Sequence, residues 1–252
     1  MKKIDYVIGI DEVGRGPLAG RVYVGCVILS FDLNRKLSKL YKHYGIPCLP
    51  AGRRYTVYNY PRKLADSKNL SEKQRYKWFS WVKKNKIIFS CAWVNEKKID
   101  GINISNACNL AAQKAFEKTM VKMKRLRKSD KLSYHYILND RSKCNGEVIA
   151  DGSLKINIQK YESIKKYKHT NLTFKNFPKA DEKVPAVSLA SIVAKITRDK
   201  YITKLHKKYP QYGFDHHKGY GTKKHIEAIK KHGPSKIHRL TFIGKYNNIK
   251  SR

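Results

Sequence analysis

No apolar run in this chain approaches the roughly 20 residues that cross a bilayer, which excludes a helical membrane-spanning protein. The opening Met1-Lys2-Lys3-Ile4-Asp5 carries an early acid and no long apolar stretch, so a signal peptide is not expected and a cytoplasmic location is. The five cysteines, Cys26, Cys48, Cys91, Cys108 and Cys144, are scattered and odd in number, with no pair at metal-ligand spacing. They fit free thiols in a reducing compartment better than a disulfide framework. His216-His217 stands among nine histidines, but no zinc pattern surrounds it. Internal repeats are absent. Acidic residues are scarce beside their opposites: 19 Asp and Glu face 55 Lys and Arg, a net charge of +36. Such an excess repels itself unless a polyanion is near. Nucleic acid is the leading partner, because cations that neutralise phosphates release counterions and gain affinity. An anionic membrane surface is the competitor, and a generally lysine-rich composition would give the same total, so charge alone decides little.

What is present is a chain of 252 residues, 41% apolar, enough for one large domain or one domain with an appendage. Tyr6 to Ile10 reads as a buried strand ending at Asp11-Glu12, and Gly14, Gly16, Pro17 and Gly20 then mark a turn. Val22 to Leu29 and Ile87 to Val94 read as strands. Between them, Phe31 to Lys63 is rich in Tyr, Arg, Lys and Pro, lacks clear periodicity and reads as an irregular basic insertion. Ser71 is placed to cap a helix running through Trp78 and Trp81. Asn103 to about Arg125 is a helix whose Ile104, Ala107, Cys108, Ala111 and Ala115 form one apolar face. Tyr134 to Leu138, Glu147 to Ala150 and Leu172 to Phe177 are strand-like. Pro185 to about Leu205 is a second long helix, with Pro185 in its first turn and Ala186, Ala190 and Ala194 forming a stripe that lets it approach a sheet closely. After Tyr209-Pro210 the chain is polar, basic and helical at His225 to Lys231. The pattern predicts a mixed α/β sheet flanked by helices over residues 1–205, with a small basic helical region over 206–252.

Four segments carry chemistry. In Ile10-Asp11-Glu12-Val13-Gly14-Arg15-Gly16, two adjacent carboxylates end an apolar strand, which is costly unless something positive sits there. A divalent cation is the usual answer, because hard ions take carboxylate oxygens. Adjacent strand residues point to opposite faces, so both acids reach one site only where the strand ends or twists. Gly14 and Gly16 let backbone N–H groups approach a phosphate or sugar, with Arg15 as a cation. A capped turn is the plainer alternative. In Asp66-Ser67-Lys68-Asn69-Leu70, Lys68 could hold a phosphate or be a solvated lysine. Asp181, just before the second long helix, could answer the helix dipole or bind metal, and Lys195 on the alanine-rich helix suggests a nearby anion or simply reaches solvent. Tyr212 to Thr222 interleaves glycines, aromatics and cations, which suits a nucleic-acid surface or an aromatic-pinned loop.

In this order the segments resemble one family, type 2 ribonuclease H. The resemblance is carried by Gly9 through Gly20, Asp66 through Leu70, Asn103-Ile104 with Ala107, Asp181 through Lys195, Arg198-Asp199, Tyr212 through Thr222 and His238-Arg239. It implies a ribonuclease H-like sheet with a small C-terminal helical domain. It also implies an endonuclease that hydrolyses the RNA strand of RNA/DNA hybrids and cuts at ribonucleotides embedded in DNA, leaving 5′-phosphate and 3′-hydroxyl ends. Four carboxylates would hold Mg²⁺ or Mn²⁺. Asp11, Glu12 and Asp181 match three of them; Asp151, in Val148-Ile149-Ala150-Asp151-Gly152, is the preferred fourth, with Asp140 its rival. Asp151 lies further upstream of Asp181 than the family pattern has it, so Ile158 to Asn171 reads as an insertion, and Ala180 replaces a glycine usual in the family. The backbone of Gly14, Arg15 and Gly16 would read the ribose 2′-hydroxyl, Tyr220 would pack beside the nucleotide at the RNA–DNA junction, and Lys68, Ser191 and Lys195 would lie near backbone phosphates. A monomer acting on RNA/DNA hybrids and on duplex DNA containing ribonucleotides is expected. Two other readings stay open: a junction resolvase or transposase-like nuclease, which has no need of the Gly-Arg-Gly segment, and a non-enzymatic RNA-coating protein, which has no use for acids at strand ends.

Overall fold

In the computed structural model, residues 4–42, 61, 64–128, 144–159 and 170–244 are described. Five strands form one sheet in the order β3-β2-β1-β4-β5. β1 (Tyr6–Val13), β2 (Val22–Ser30) and β3 (Ile88–Val94) pair antiparallel, while β4 (Cys144–Asp151) and β5 (Thr170–Phe177) add parallel to β1. Both faces of the centre are covered, so β1 and β2 are apolar almost throughout rather than alternating.

The end of β1 differs from the sequence expectation. The strand does not stop at the acids but runs through both to Val13, pairing Asp11 with Gly25 and Glu12 with Val24. Its parallel partner β4 pairs only as far as Ile10 with Ala150. The two acids therefore sit on a strand bonded along one edge, beside the free end of β4.

The helices are α1 (Phe31–Lys42), α2 (Glu72–Lys84), α3 (Glu96–Ile102), α4 (Ile104–Lys128), α5 (Pro185–Lys208), α6 (Phe214–His217), α7 (Lys223–His232) and α8 (Leu240–Ile243). α2 has the expected start: Ser71 Oγ accepts from the Gln74 amide and the Gln74 side chain accepts from the Ser71 amide, closing a capping box. α4 buries the expected stripe of Ala107, Cys108, Ala111 and Ala115 and packs on β2 and β3.

α5 covers β1 and β2. Its approach is close because two strand residues have no side chain. A methyl built on Gly9 would lie 2.1 Å from the Ala186 carbonyl carbon, and one on Gly25 would lie 2.1 Å from the Ala190 oxygen. Gly9 and Gly25 share a face of adjacent strands, and the alanine stripe fits that groove. This seam sets the height of α5, and hence of Ser191, above Asp11.

One other expectation is corrected. The segment from Phe31 is not irregular: its first twelve residues form α1, because Leu33 and Leu37, one turn apart, bury themselves and Ser30 Oγ accepts from the Leu33 amide. α1 also lends Asn34 Oδ1 to the Ala186 amide at the start of α5. Thr170 and Asn171, the last residues of the insertion expected over Ile158 to Asn171, belong to β5. The rest of the basic segment, the strand expected at Tyr134 to Leu138 and the rival acid Asp140 lie outside the described residues.

The last helices enclose a second apolar cluster: Tyr212, Phe214, Ile229, Ile237 and Ile243 with Ile202 and Leu205 of α5 and Leu18-Ala19 of the glycine turn. No helix among the described residues is long and apolar enough to cross a membrane.

Candidate active site

Asp11, Glu12, Asp151 and Asp181, widely separated in sequence, act on one another electrostatically at the ends of β1 and β4. Asp11 is 5% exposed and Asp181 6%. Asp181 is carried by a single 3₁₀ turn, Ala180–Glu182, and two contacts fix that turn. The Ala180 amide donates to Asp151 Oδ1 (2.7 Å), and Ser188 Oγ donates to the Asp181 carbonyl. Asp151 thus ties the end of β4 to the turn that presents Asp181. Residue 180 has no positive φ, so the alanine there needs no glycine-like freedom; that demand falls on Lys179, with φ 58°.

Ser191 of α5, expected near a backbone phosphate, lies beside Asp11, whose charge it eases, and its oxygen is 2.7 Å from Ser67 Oγ. Lys195, one turn further on, pairs with Asp199 at 2.9 Å. Lys68 is exposed and feels Asp66, Asp11, Asp181 and Asp151. Burial pulls its ammonium pKa down, but those four carboxylates outweigh this and leave it raised.

Asp66 is a further carboxylate at this site. It is buried, caps the turn that carries Lys68 by accepting from the Lys68 amide (3.0 Å), and acts on Asp181 as a neighbouring charge. Its signal was there in Asp66-Ser67-Lys68, but a turn-capping aspartate and a site aspartate look the same in sequence.

This crowding raises the acids. Burial lifts Asp11 well above the usual carboxylate range, with Glu12, Asp151 and Asp181 adding to it and the Ser191 hydroxyl opposing it. Burial likewise raises Glu12, opposed by Arg15 and reinforced by Asp151. Asp181 is pushed up to about 7 by burial, then by Asp66 and Asp151. Arg15 Nη1 reaches Glu12 Oε1 at 3.3 Å and its Nη2 reaches Ser105 Oγ at 3.4 Å, while Glu12 Oε2 is buried without a hydrogen bond.

Among the described residues, no three Asp, Glu, His or Cys side chains are gathered tightly enough to cage an ion by themselves. The donor set nevertheless fits a hard cation. It is all carboxylate oxygen, it carries like charges that nothing else nearby balances in full, and one buried oxygen is orphaned. An ion of the Mg²⁺ type is commonly held by one or two carboxylates, with waters and substrate phosphate completing the shell, so a closed protein cage is not required.

The expected sugar-reading elements also converge. A methyl on Gly16 would lie 3.8 Å from Tyr220 Cε1, so the exposed Gly16 edge and the Tyr220 ring, 42% exposed, line one notch. Leu18 donates its amide to the Gly219 carbonyl (2.8 Å), joining the two loops. The notch follows directly in sequence from Glu12.

A family model described as Ribonuclease HII matches residues 61–245. The ribonuclease HII of Caldicellulosiruptor bescii is 34% identical over 240 residues, covering 94% of this chain and 86% of its own. Among solved structures, the ribonuclease H2 of Pyrococcus horikoshii OT3 superposes with a TM-score of 0.55 at 24% identity, over 94% of this chain and 93% of that one. Bst-RNase HIII in complex with Mn²⁺ gives a TM-score of 0.57 at 15% identity, over 96% of this chain and 68% of that one. Both share the fold.

Proposed function

This chain belongs to the ribonuclease HII family and is an endonuclease of the ribonuclease H type; from that premise we propose that it cuts the RNA strand of RNA/DNA hybrids and single ribonucleotides in duplex DNA, leaving 5′-phosphate and 3′-hydroxyl ends. The observation that carries the reading is the meeting of Asp11, Glu12, Asp151 and Asp181 beside the notch between Gly16 and Tyr220. A nuclease needs acids next to a sugar-reading surface; a coat protein needs neither.

Asp11, Glu12, Asp151 and Asp181 would hold Mg²⁺ or Mn²⁺, the latter being the ion in the Bst-RNase HIII structure. When bound, such ions activate water and offset charge on the phosphate oxygens. The protein's own part is positioning. Ser191, paired with Ser67, eases the charge on Asp11, and Asp151 anchors the turn bearing Asp181. Lys68, exposed beside four acids, would meet a substrate phosphate as it approaches them. Gly14, Arg15 and Gly16 would take the ribose 2′-hydroxyl and Tyr220 the adjacent sugar. Residues 206–252 would form a basic substrate-binding region alongside a catalytic domain of residues 1–205.

The test is a 5′-labelled DNA duplex holding one ribonucleotide, incubated with Mg²⁺, with Mn²⁺ and with chelator. The expected result is a single metal-dependent cut at the ribonucleotide and none in the all-DNA duplex. Equal cutting of all-DNA junctions, or binding without cleavage in either metal, would overturn the reading.

A further inference from the structure

The notch between Gly16 and Tyr220 is built from two loops that meet only in the folded chain, and neither is regular. Gly14 and Gly20 sit at φ 91° and 87°, and Tyr220 follows Lys218 and Gly219, at φ 51° and 86°. The elements holding both loops come from one dipeptide, His238-Arg239, between α7 and α8.

Arg239 is 0% exposed and turns every nitrogen of its guanidinium to the first loop. Nη2 donates to the Gly14 carbonyl (2.6 Å) and the Gly20 carbonyl (2.7 Å), Nη1 to the Arg15 carbonyl (2.7 Å), and Nε to the Gly20 carbonyl (2.9 Å). The inner side of the turn is thereby committed, leaving the exposed Gly16 edge for a ligand. A planar fork is needed to span these acceptors; the single ammonium of lysine cannot do so.

His238 holds the second loop through a chain whose proton positions follow from its partners. The Tyr220 carbonyl can only accept, so His225 Nδ1, at 2.8 Å, carries a proton. In the neutral ring His225 Nε2 then accepts, and His238 Nε2, 3.2 Å away, donates to it. That leaves His238 Nδ1 to accept from the Ser235 amide (2.9 Å) and hydroxyl (2.8 Å). Each ring nitrogen has one role, and the hydrogen-bond pattern assigns both tautomers. The backbone reinforces the link: the Arg239 amide donates to the Leu18 carbonyl (2.8 Å), and the Gly20 amide to the Ile237 carbonyl (2.9 Å).

We propose that His238 and Arg239 are positioning residues that hold the Gly14–Gly16 turn and Tyr220 at a fixed spacing, and so set the preference for a ribonucleotide over a deoxyribonucleotide at the cleavage position. The inference rests on the function proposed above and deepens it.

The test is equilibrium binding in an Asp11→Asn background with Mg²⁺ present. A duplex with one ribonucleotide is compared with the identical all-DNA duplex. The parent protein should prefer the former; if it does not, the functional reading itself has failed and the inference falls with it. If it does, Arg239→Gln should erase about a tenfold share of that preference, the worth of roughly one buried hydrogen bond to the ligand. Asp100→Asn is the control. The Asp100 carboxylate accepts from the Leu240 and Thr241 amides at the start of α8 through different oxygens (2.8 and 3.1 Å) and acts on Arg239 through charge rather than a hydrogen bond, so a carboxamide, with one acceptor oxygen, should melt earlier yet keep the preference within about twofold. Should Arg239→Gln yield no folded protein, Arg239→Lys carries the same comparison. A folded Arg239 variant with undiminished preference would overturn the proposal, as would Asp100→Asn losing as much as Arg239→Gln.

Discussion

Two regions of this molecule meet at the glycine turn and treat buried polar groups in opposite ways. At the ends of β1 and β4, carboxylates face one another, and three are raised by burial and by their neighbours' charge. In the C-terminal cluster, His225 and His238 are buried just as deeply, but each has a partner for both nitrogens and stays neutral. The first region is unfavourable until something positive arrives; the second is complete as it stands. Unmet polar demand marks where a ligand belongs, whereas satisfied demand marks a scaffold.

The comparison can be broken most directly at Asp11. Asp11→Asn should lower cleavage by about a thousandfold or more while hybrid binding persists, since a carboxylate is removed and the basic surface is not. The same change should raise the melting temperature, because a buried charge among like charges is gone. Cleavage of the labelled duplex and a thermal melt read both effects; a lower melting temperature would mean the acids are not in conflict.

Gly25→Ala tests the seam that brings α5 over Asp11. The added methyl has no room beside the Ala190 oxygen, so a loss of about 3 kcal/mol is expected in denaturant unfolding. Loss of activity in the folded fraction should accompany it, as Ser191 is displaced.

Acid should drive the two regions in opposite directions. Burial holds His225 and His238 down at about 4, below the ordinary histidine value of 6.5. Between those values the unfolded chain binds protons that the folded one does not, so C-terminal stability is full above pH 6.5 and falls on acidification, by roughly 3 kcal/mol for a shift of that size. Asp181 behaves conversely. Its folded value of about 7 lies above its unfolded one, so its stabilising contribution is present at low pH and is lost as pH rises through 7. Hydrogen-exchange protection, corrected for intrinsic rates and followed from pH 7 to pH 5 without divalent ions, should therefore fall in α7 and α8 and hold or rise at the end of β1. Parallel loss in both would refute the contrast.

The smallest effect sharpens it. Tyr212→Phe removes the hydroxyl that donates to the Gly233 carbonyl at 2.7 Å and should cost about 1 kcal/mol, without changing cleavage at saturating substrate.

Much of the architecture was legible because it depends on local pattern. The capping box at Ser71, the apolar stripe of α4 and Pro185 in the first turn of α5 are each set by residues within a few positions of one another. α1 escaped notice because only two of its leucines are needed to bury it, and the surrounding charge hides so short a period. Asp11 and Glu12 stood out as costly neighbours on an apolar strand. Asp66 did not, since its cap is local while its contact with Asp181 is not.

By itself the sequence determined which segments become strands and helices, which acids could be held near one another, and where glycines relieve the backbone. Only the tertiary structure decided what Ser191 and Lys195 meet, since one turn of α5 separates a hydroxyl paired with Ser67 from an ammonium bound to Asp199. It alone also joined His238-Arg239 to loops more than two hundred residues upstream and to Tyr220. Local propensity acts over a few residues, whereas a buried donor takes whichever acceptor the packed chain brings within reach.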